Sequence, residues 1–223
     1  MFSLIFTKSS GVIVWVMPKT APFNNHSDAY DQWFDNNREI YEAELEAIRR
    51  LLPGPGAQGL EVGVGSGKFA APLGIRVGVE PSENMALRAR KLGIKVYPGV
   101  AENLPFPDGR FDFALMVTTI CFVDDVEKSF REVYRVLKPG GCLIVGFVDK
   151  SSALGRLYEE RREQSKFYKE ATFFSTQQVL AYLGIAGFRT AEINQTLIPG
   201  MSTKTIQDGF GKGAFVAMKS SRS

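Results

Sequence analysis

The residues best suited to hold a reactive ligand lie between Leu60 and Phe69, where the chain reads L-E-V-G-V-G-S-G-K-F. Glu61 stands in a short apolar run, and glycines follow at every second position: Gly63, Gly65 and Gly67. The pattern predicts a strand that ends in a glycine turn and passes into a helical segment, Lys68 to Leu73. Such a junction gathers backbone N–H groups and the positive end of a helix at one point, where polar oxygens and a flat ring can lie. The spacing discriminates among nucleotide sites. A dinucleotide fingerprint, G-x-G-x-x-G, needs a glycine at position 68, which is Lys68. A P-loop needs G-K-[ST], and Phe69 follows Lys68 instead.

A second acidic residue, Glu80, closes the next apolar run and precedes Pro81-Ser82. In nucleotide-binding folds a carboxylate about 20 residues beyond the first glycine accepts the ribose hydroxyls. The structural alternative is a carboxylate favoured by a helix N-terminus. His26 is the single histidine, and Cys121 and Cys142 are the two cysteines. That is too few soft ligands for zinc, and no metal is expected. No catalytic group is assigned. His26 and Tyr30, ahead of the glycine turn, are the candidates for reaching a substrate proton. A lone histidine at a helix start is more commonly a cap or a surface residue, and Cys121 reads as a buried structural thiol.

The elements that must position these residues follow from hydrophobic periodicity. Asp28 to Leu52 has helical spacing, with Tyr30, Trp33, Phe34, Ile40, Tyr41, Leu45, Ile48 and Leu52 on the apolar stripe. Pro53-Gly54-Pro55-Gly56 ends it. Strands are predicted at Ile75–Glu80, Ile94–Tyr97, Phe111–Val117 and Cys142–Val148, and helices at Ser82–Leu92 and Val126–Leu137. Phe111–Val117 is nearly all apolar, the signature of a strand buried on both faces. A charged helix from Leu154 to Tyr168 reads as a solvated outer face. Ser175-x-x-Gln178 is a capping box, and Phe188–Thr196 and Ala214–Met218 read as closing strands. The alternation implies an α/β, Rossmann-like, doubly wound and mostly parallel sheet, with a helical N-terminal preface and an antiparallel closing strand.

Four segments in this order are similar to class I S-adenosylmethionine-dependent methyltransferases. They are the Glu61–Gly67 turn, the Glu80 strand end, Gly99–Asp112 (G-V-A-E-N-L-P-F-P-D-G-R-F-D) and Arg135–Gly141 (R-V-L-K-P-G-G). The nearest group is the small-molecule branch that includes ubiquinone and menaquinone biosynthesis methyltransferases. The resemblance implies S-adenosyl-L-methionine as cofactor and methyl transfer to a small-molecule O, N, S or C nucleophile. By the same resemblance Glu61, Gly63, Gly65 and Gly67 form the cofactor turn, and Glu80, with Pro81 beside it, holds the ribose. Ala101 and Glu102 lie near adenine, and Thr118 lies by the methionine end. Two positions depart from the family: Val100 replaces an aspartate before the Ala-Glu pair, and Ile120-Cys121-Phe122 replaces a histidine after the fourth strand. Two rival readings are a non-catalytic S-adenosylmethionine-binding protein and a nucleotide-cofactor oxidoreductase. The aromatic excess from Phe23 to Phe34 predicts a lid over the transfer site.

Length and composition fit one domain over residues 1–223: a preface at 17–56, a cofactor core at 57–149 and a C-terminal half at 150–223. The chain is 44% hydrophobic and 23% charged with a net charge of +3, which suits a folded cytoplasmic protein and does not point to nucleic acid. No apolar run is long enough for a membrane span. Oligomeric state is not readable. Residues 1–16 lack the basic start, unbroken apolar centre and cleavage site of a secretory signal. They are read as an extension ahead of a start at Met17, in preference to a hairpin around Ser9-Ser10-Gly11.

Overall fold

The computed structural model describes residues 19–223, so the expected extension or hairpin at residues 1–16 lies outside the described residues. Three helices open the described chain: α1 (Ala21–Asn25), α2 (Ser27–Asn36) and α3 (Arg38–Arg49). The periodicity of Asp28–Leu52 predicts one continuous helix, and the structure breaks it at Asn37. The Asn37 backbone has φ −121° and ψ 40°, and its side-chain amide donates to the carbonyl of Trp33 at 2.8 Å. An asparagine side chain that takes a backbone carbonyl competes with the helix.

The sheet is built from β1 (Gly59–Val62), β2 (Val77–Val79), β3 (Lys95–Tyr97), β4 (Phe111–Val117), β5 (Leu137–Val148), β6 (Phe188–Thr196), β7 (Gln207–Asp208) and β8 (Phe215–Arg222). Its order is β3-β2-β1-β4-β5-β8-β6-β7. The first five strands run parallel, and β8 closes the sheet antiparallel between β5 and β6. This is the expected doubly wound α/β class. The short edge strand β7 has no counterpart in the sequence reading, since two residues carry no periodicity.

On β4, side chains alternate between two cores. Ala114 and Met116 face α5 (Val126–Val136) and α7 (Thr176–Ile185), together with Phe130, Val133, Val179 and Leu183. Phe113, Leu115 and Val117 face α3 and α4 (Glu83–Lys91), with Ile48, Ala86 and Ala89. Both faces of β4 are therefore buried, as its apolar run requires. The capping box on α7 is present, with Ser175 and Gln178 each satisfying the other's backbone N–H.

Two local expectations are overturned. Lys68–Leu73 forms turns, not a helix. Ala71 N–H reaches Gly67 O and Leu73 N–H reaches Phe69 O, but Pro72 has no N–H to donate between them. The segment then reverses at Gly74, φ +75°. This segment therefore brings no helix end to the glycine turn. The Leu154–Tyr168 helix is likewise shorter: α6 covers Ala153–Glu160, and two 3-10 turns follow at Arg162–Gln164 and Tyr168–Glu170. That folding carries Phe167 and Tyr168 inward.

The preface is fastened to the glycine turn and α4 by polar groups. Arg88 Nη1 donates to Asp31 Oδ2 at 2.7 Å, and Nη2 donates to Asp28 and Ser27. Ser66 donates to the other Asp31 oxygen at 2.6 Å, and Ser82 donates to Asn24 at 2.6 Å. Partly exposed ion pairs are worth little in global stability, about 1 kcal/mol or less each. R88M is accordingly expected to lower the melting temperature only slightly. It should speed amide hydrogen exchange across residues 23–36, measured by mass spectrometry. Unchanged exchange there would mean that the aromatic contacts alone hold α2.

Candidate active site

A cavity of about 950 Å³, its open mouth included, lies at the C-terminal ends of β1, β2 and β4. There the strand order reverses about β1, the usual position for a ligand in an open α/β sheet. Gly63 and Gly65 form one side of it. Val79, Glu80 and Pro81 at the end of β2, Val100–Glu102 after β3, and Thr118–Thr119 after β4 form the rest of the floor. Gly63, Gly65 and Gly67 all take positive φ, at +71°, +54° and +86°. Their neighbours differ. A Cβ on Gly63 would lie 2.5 Å from Thr119 Cγ2, and one on Gly67 would lie 2.8 Å from Ile94 Cδ1. Gly67 is thus a packing glycine against the α4–β3 connection. Gly65 faces the cavity beneath the Tyr30 hydroxyl.

Glu80 is 8% exposed. Its Oε2 accepts from Gly65 N–H and its Oε1 from Ser82 N–H, both at 2.9 Å. Burial pushes its carboxyl up to about 7, and the two backbone donors hold it below what burial alone would give. Glu61, behind the glycine turn, is more deeply buried. The nearby Ala70 N–H favours its charged form, while Oε2 is buried with no partner among the described residues. Burial, together with nearby Glu80, raises its carboxyl well above the ordinary range.

The remaining residues expected at the site divide between the cavity wall and its surroundings. Ala101 and Val100 line the cavity. Glu102 also lines it, but its Oε1 accepts from Asp124 and Asp125 N–H at 2.7 and 3.2 Å, fastening the loop after β4. Thr118 lines the cavity with φ +48°, unusual for a β-branched residue. Tyr30 lines it too. Its hydroxyl is raised above its ordinary range by burial first, then by Glu61, Glu80 and Asp31, so it keeps its proton. His26 is not among the lining residues; it stands at the N-cap position of α2 without a capping side-chain bond, and its ring meets Phe167 edge-on at 6.3 Å. Cys121 is buried, donates to Thr118 O, and has its thiol pushed up to about 12 by burial.

Sequence reasoning did not assign several lining side chains to the site, among them Thr119, Phe122, Phe167 and Tyr168. Phe167 and Tyr168 sit in a charged segment, E-R-R-E-Q-S-K-F-Y-K, whose composition signals solvent. Only the two adjacent aromatics hinted otherwise. In three dimensions they join the preface: Phe23 lies 5.8 Å from Phe167 and 4.9 Å from Phe122, and Tyr30 lies 6.0 Å from Phe167.

A methyltransferase-domain family model matches residues 60–145, the span from β1 into β5 that carries the cavity floor. A crystal structure of a Thermotoga maritima S-adenosylmethionine-dependent methyltransferase, described as a possible histamine N-methyltransferase, superposes with a TM-score of 0.88 at 48% identity, over 92% of this chain and 100% of that one. This chain is an S-adenosylmethionine-dependent methyltransferase. A protein of Methanocaldococcus jannaschii is 42% identical over 203 residues, covering 90% of this methyltransferase and 98% of the relative. The 2-phytyl-1,4-naphtoquinone methyltransferase of Nostoc punctiforme is 29% identical over 180 residues, covering 72% and 78%.

The residues present fit the methyltransferase cofactor. Glu61 Oε2 is a buried acceptor awaiting a donor, and the side of Gly65 carries no side chain to fill the cavity. Each Glu80 oxygen takes one backbone N–H in the structure, which leaves acceptor capacity for hydroxyls. Among the described residues no cluster of three or more His, Cys, Asp or Glu is arranged for a metal, and no helix is long and apolar enough to cross a membrane.

E80Q should weaken S-adenosylmethionine binding by about 2 kcal/mol, roughly thirtyfold, because a charge-assisted acceptor of hydroxyls is lost. Titration calorimetry measures it, and unchanged affinity would leave Glu80 a purely structural tie between Gly65 and Ser82. Stability should also depend on pH in an unusual direction. The folded carboxyls of Glu80 and Glu44 hold their protons up to about 7 and about 8, against an ordinary 4.5. The folded chain therefore binds more protons than the unfolded one between those values, so stability falls as pH rises from 5 to 8. Each tenfold difference in proton affinity between the folded and unfolded chain is worth about 1.4 kcal/mol, so the loss is on the order of a few kcal/mol. Thermal melts across that range check it.

Proposed function

We propose that this methyltransferase acts on a small-molecule acceptor, held against the cofactor's sulfonium by an aromatic wall made from both ends of the described chain. The observation that carries the reading is the enclosure of the cavity by Phe23 and Tyr30 from the preface and by Phe167 and Tyr168 from the C-terminal half. An aromatic enclosure admits a ring-sized molecule and excludes water. The naphthoquinone and the histamine named for the two relatives are ring compounds of that kind.

When bound, S-adenosylmethionine supplies an activated methyl on a sulfonium. The chain's task is alignment. In this reading Gly63 and Gly65 pass beneath the methionine and ribose portions, Glu80 accepts the ribose hydroxyls, and Glu61 stands behind the methionine end with Thr118. Pro81, Val100, Ala101 and Glu102 surround the adenine through backbone and apolar contacts. Val100 supplies no acceptor for the adenine amino group. Ring faces favour a cationic sulfonium, and holding the acceptor in line with the methyl supplies most of the rate. The Phe23–Phe34 segment acts as a lid, closing on the cofactor and opening for exchange.

Calorimetry should find that S-adenosylmethionine and its demethylated product bind, and that NAD does not. Incubation of the protein and S-adenosylmethionine with a low-mass metabolite fraction should release S-adenosylhomocysteine. Release only with protein or RNA fractions would overturn the small-molecule reading, and binding without any release would reduce the chain to a cofactor-binding protein.

A further inference from the structure

A second, smaller cavity adjoins the one that holds the cofactor residues. It measures about 310 Å³, its open mouth included, and Thr118 and Tyr168 line both cavities. Its other lining residues are Ile120, Cys121, Phe147, Val148, Phe173 and Phe174, none of them charged. The strand order fixes where it lies. Phe147 and Val148 end β5, the neighbour of β4, whereas Glu80 follows β2 on the far side of β1. The smaller cavity therefore continues the site past β4, away from the ribose carboxylate. The wall shared by the two is held from several directions. The Tyr168 ring stacks on Phe122 at 6.0 Å and on Tyr158 at 5.2 Å. Ser165 Oγ accepts from the N–H groups of Phe167 and Tyr168, at 3.3 and 3.0 Å. Thr172 N–H donates to Cys121 O at 2.8 Å, tying this segment to the loop after β4. On the opposite side Thr118 keeps φ +48°, and the Cys121 thiol donates to its carbonyl at 3.2 Å. Protein interiors leave few voids larger than a water molecule, because unfilled apolar space forfeits dispersion contacts. An apolar recess beside a binding site is where a ligand group restores them.

Resting on the small-molecule reading above, we infer that the smaller cavity is the acceptor's specificity subsite. It takes an uncharged apolar substituent of a few carbons, carried by the ring that the aromatic wall encloses, and Cys121 and Tyr168 limit its size. A charged substituent would lose its hydration there and meet no ionised side chain in return. A long chain exceeds the space, since even a water molecule's share of liquid volume is about 30 Å³. Anchoring the substituent beyond Tyr168 leaves the reacting atom beside Thr118, the residue that stands at the methionine end in that reading. Choice of acceptor then rests on the β4–β5 side and cofactor binding on the β1–β2 side.

The test uses the protein saturated with S-adenosylhomocysteine and a series of 4-alkylphenols as probes, with affinities read by calorimetry. Affinity should rise about fourfold per carbon from 4-methylphenol to 4-propylphenol, because each buried CH₂ is worth about 0.8 kcal/mol. It should rise no further at 4-hexylphenol. The charged analogue 3-(4-hydroxyphenyl)propionate should bind at least tenfold more weakly than 4-propylphenol. In C121M, whose longer side chain occupies the recess, the gain per carbon should disappear, with S-adenosylhomocysteine affinity within twofold of wild type. A crystal of the wild-type complex under xenon pressure supplies a readout that needs no variant. Xenon should sit in the recess against Cys121 and be displaced by 4-propylphenol but not by phenol. A flat series, a rise that continues to 4-hexylphenol, tight binding of the propionate, or xenon left in place by 4-propylphenol would each overturn the subsite. The small-molecule reading would survive those results. A gain per carbon that persists in folded C121M would likewise place the substituent elsewhere. Failure of S-adenosylhomocysteine itself to bind would remove both.

Discussion

The bond from Gly65 N–H to the buried carboxylate of Glu80 is the constraint on which the cavity depends. It ties the glycine turn after β1 to the end of β2, and Val79 O strengthens the tie by accepting from both Gly63 and Val64 N–H. The turn can follow that path because Gly63 and Gly65 take positive φ. Thr119 then packs where a Gly63 side chain would be and fixes the start of the loop after β4. Loss of the Glu80 anchor would free three cavity walls together, because each is braced against the next and not against solvent.

Two buried carboxyls, Glu61 and Glu80, stand at this point, and burial raises the proton affinity of both. The cations stand one layer out: Arg88 pairs with Asp28 and Asp31, and Lys68 lies 4.0 Å from Asp31. The site therefore keeps acidic groups inside, which a bound cation would favour in their charged form, and ion pairs at its rim. The rim pairs also fasten the preface to α4.

Enclosure comes from distant parts of the chain. Phe23 and Tyr30 meet Phe167 across well over a hundred residues of sequence, and α3 crosses to lie against β5, β6 and β8. Its Ala47 carbonyl accepts from Asn194 on β6, so the preface is bound at one end to the closing strands and at the other to α4. The preface is thus held at both ends, by α3 against the closing strands and by α2 against α4 and the glycine turn.

The parallel core was legible because its signals are local. The apolar run Phe111–Val117 can be satisfied only by burial on two faces, and glycines at 63, 65 and 67 with Glu61 and Glu80 in place mark one turn and one strand end. Their meaning is set within about 20 residues of chain, which is why the cofactor and the fold class followed from the sequence. The helix expected at Lys68–Leu73 failed for a reason equally local, Pro72, which the periodicity did not weigh. What the sequence could not determine is which distant side chains share a wall. Phe167 and Tyr168 lie in a charged stretch that composition assigns to solvent, and Glu44 occupies an ordinary helical position. Only tertiary packing turns Phe167 toward Phe23 and buries Glu44. Composition reports how much apolar surface a segment carries, and the choice of partner that buries it depends on contacts between segments far apart in the chain.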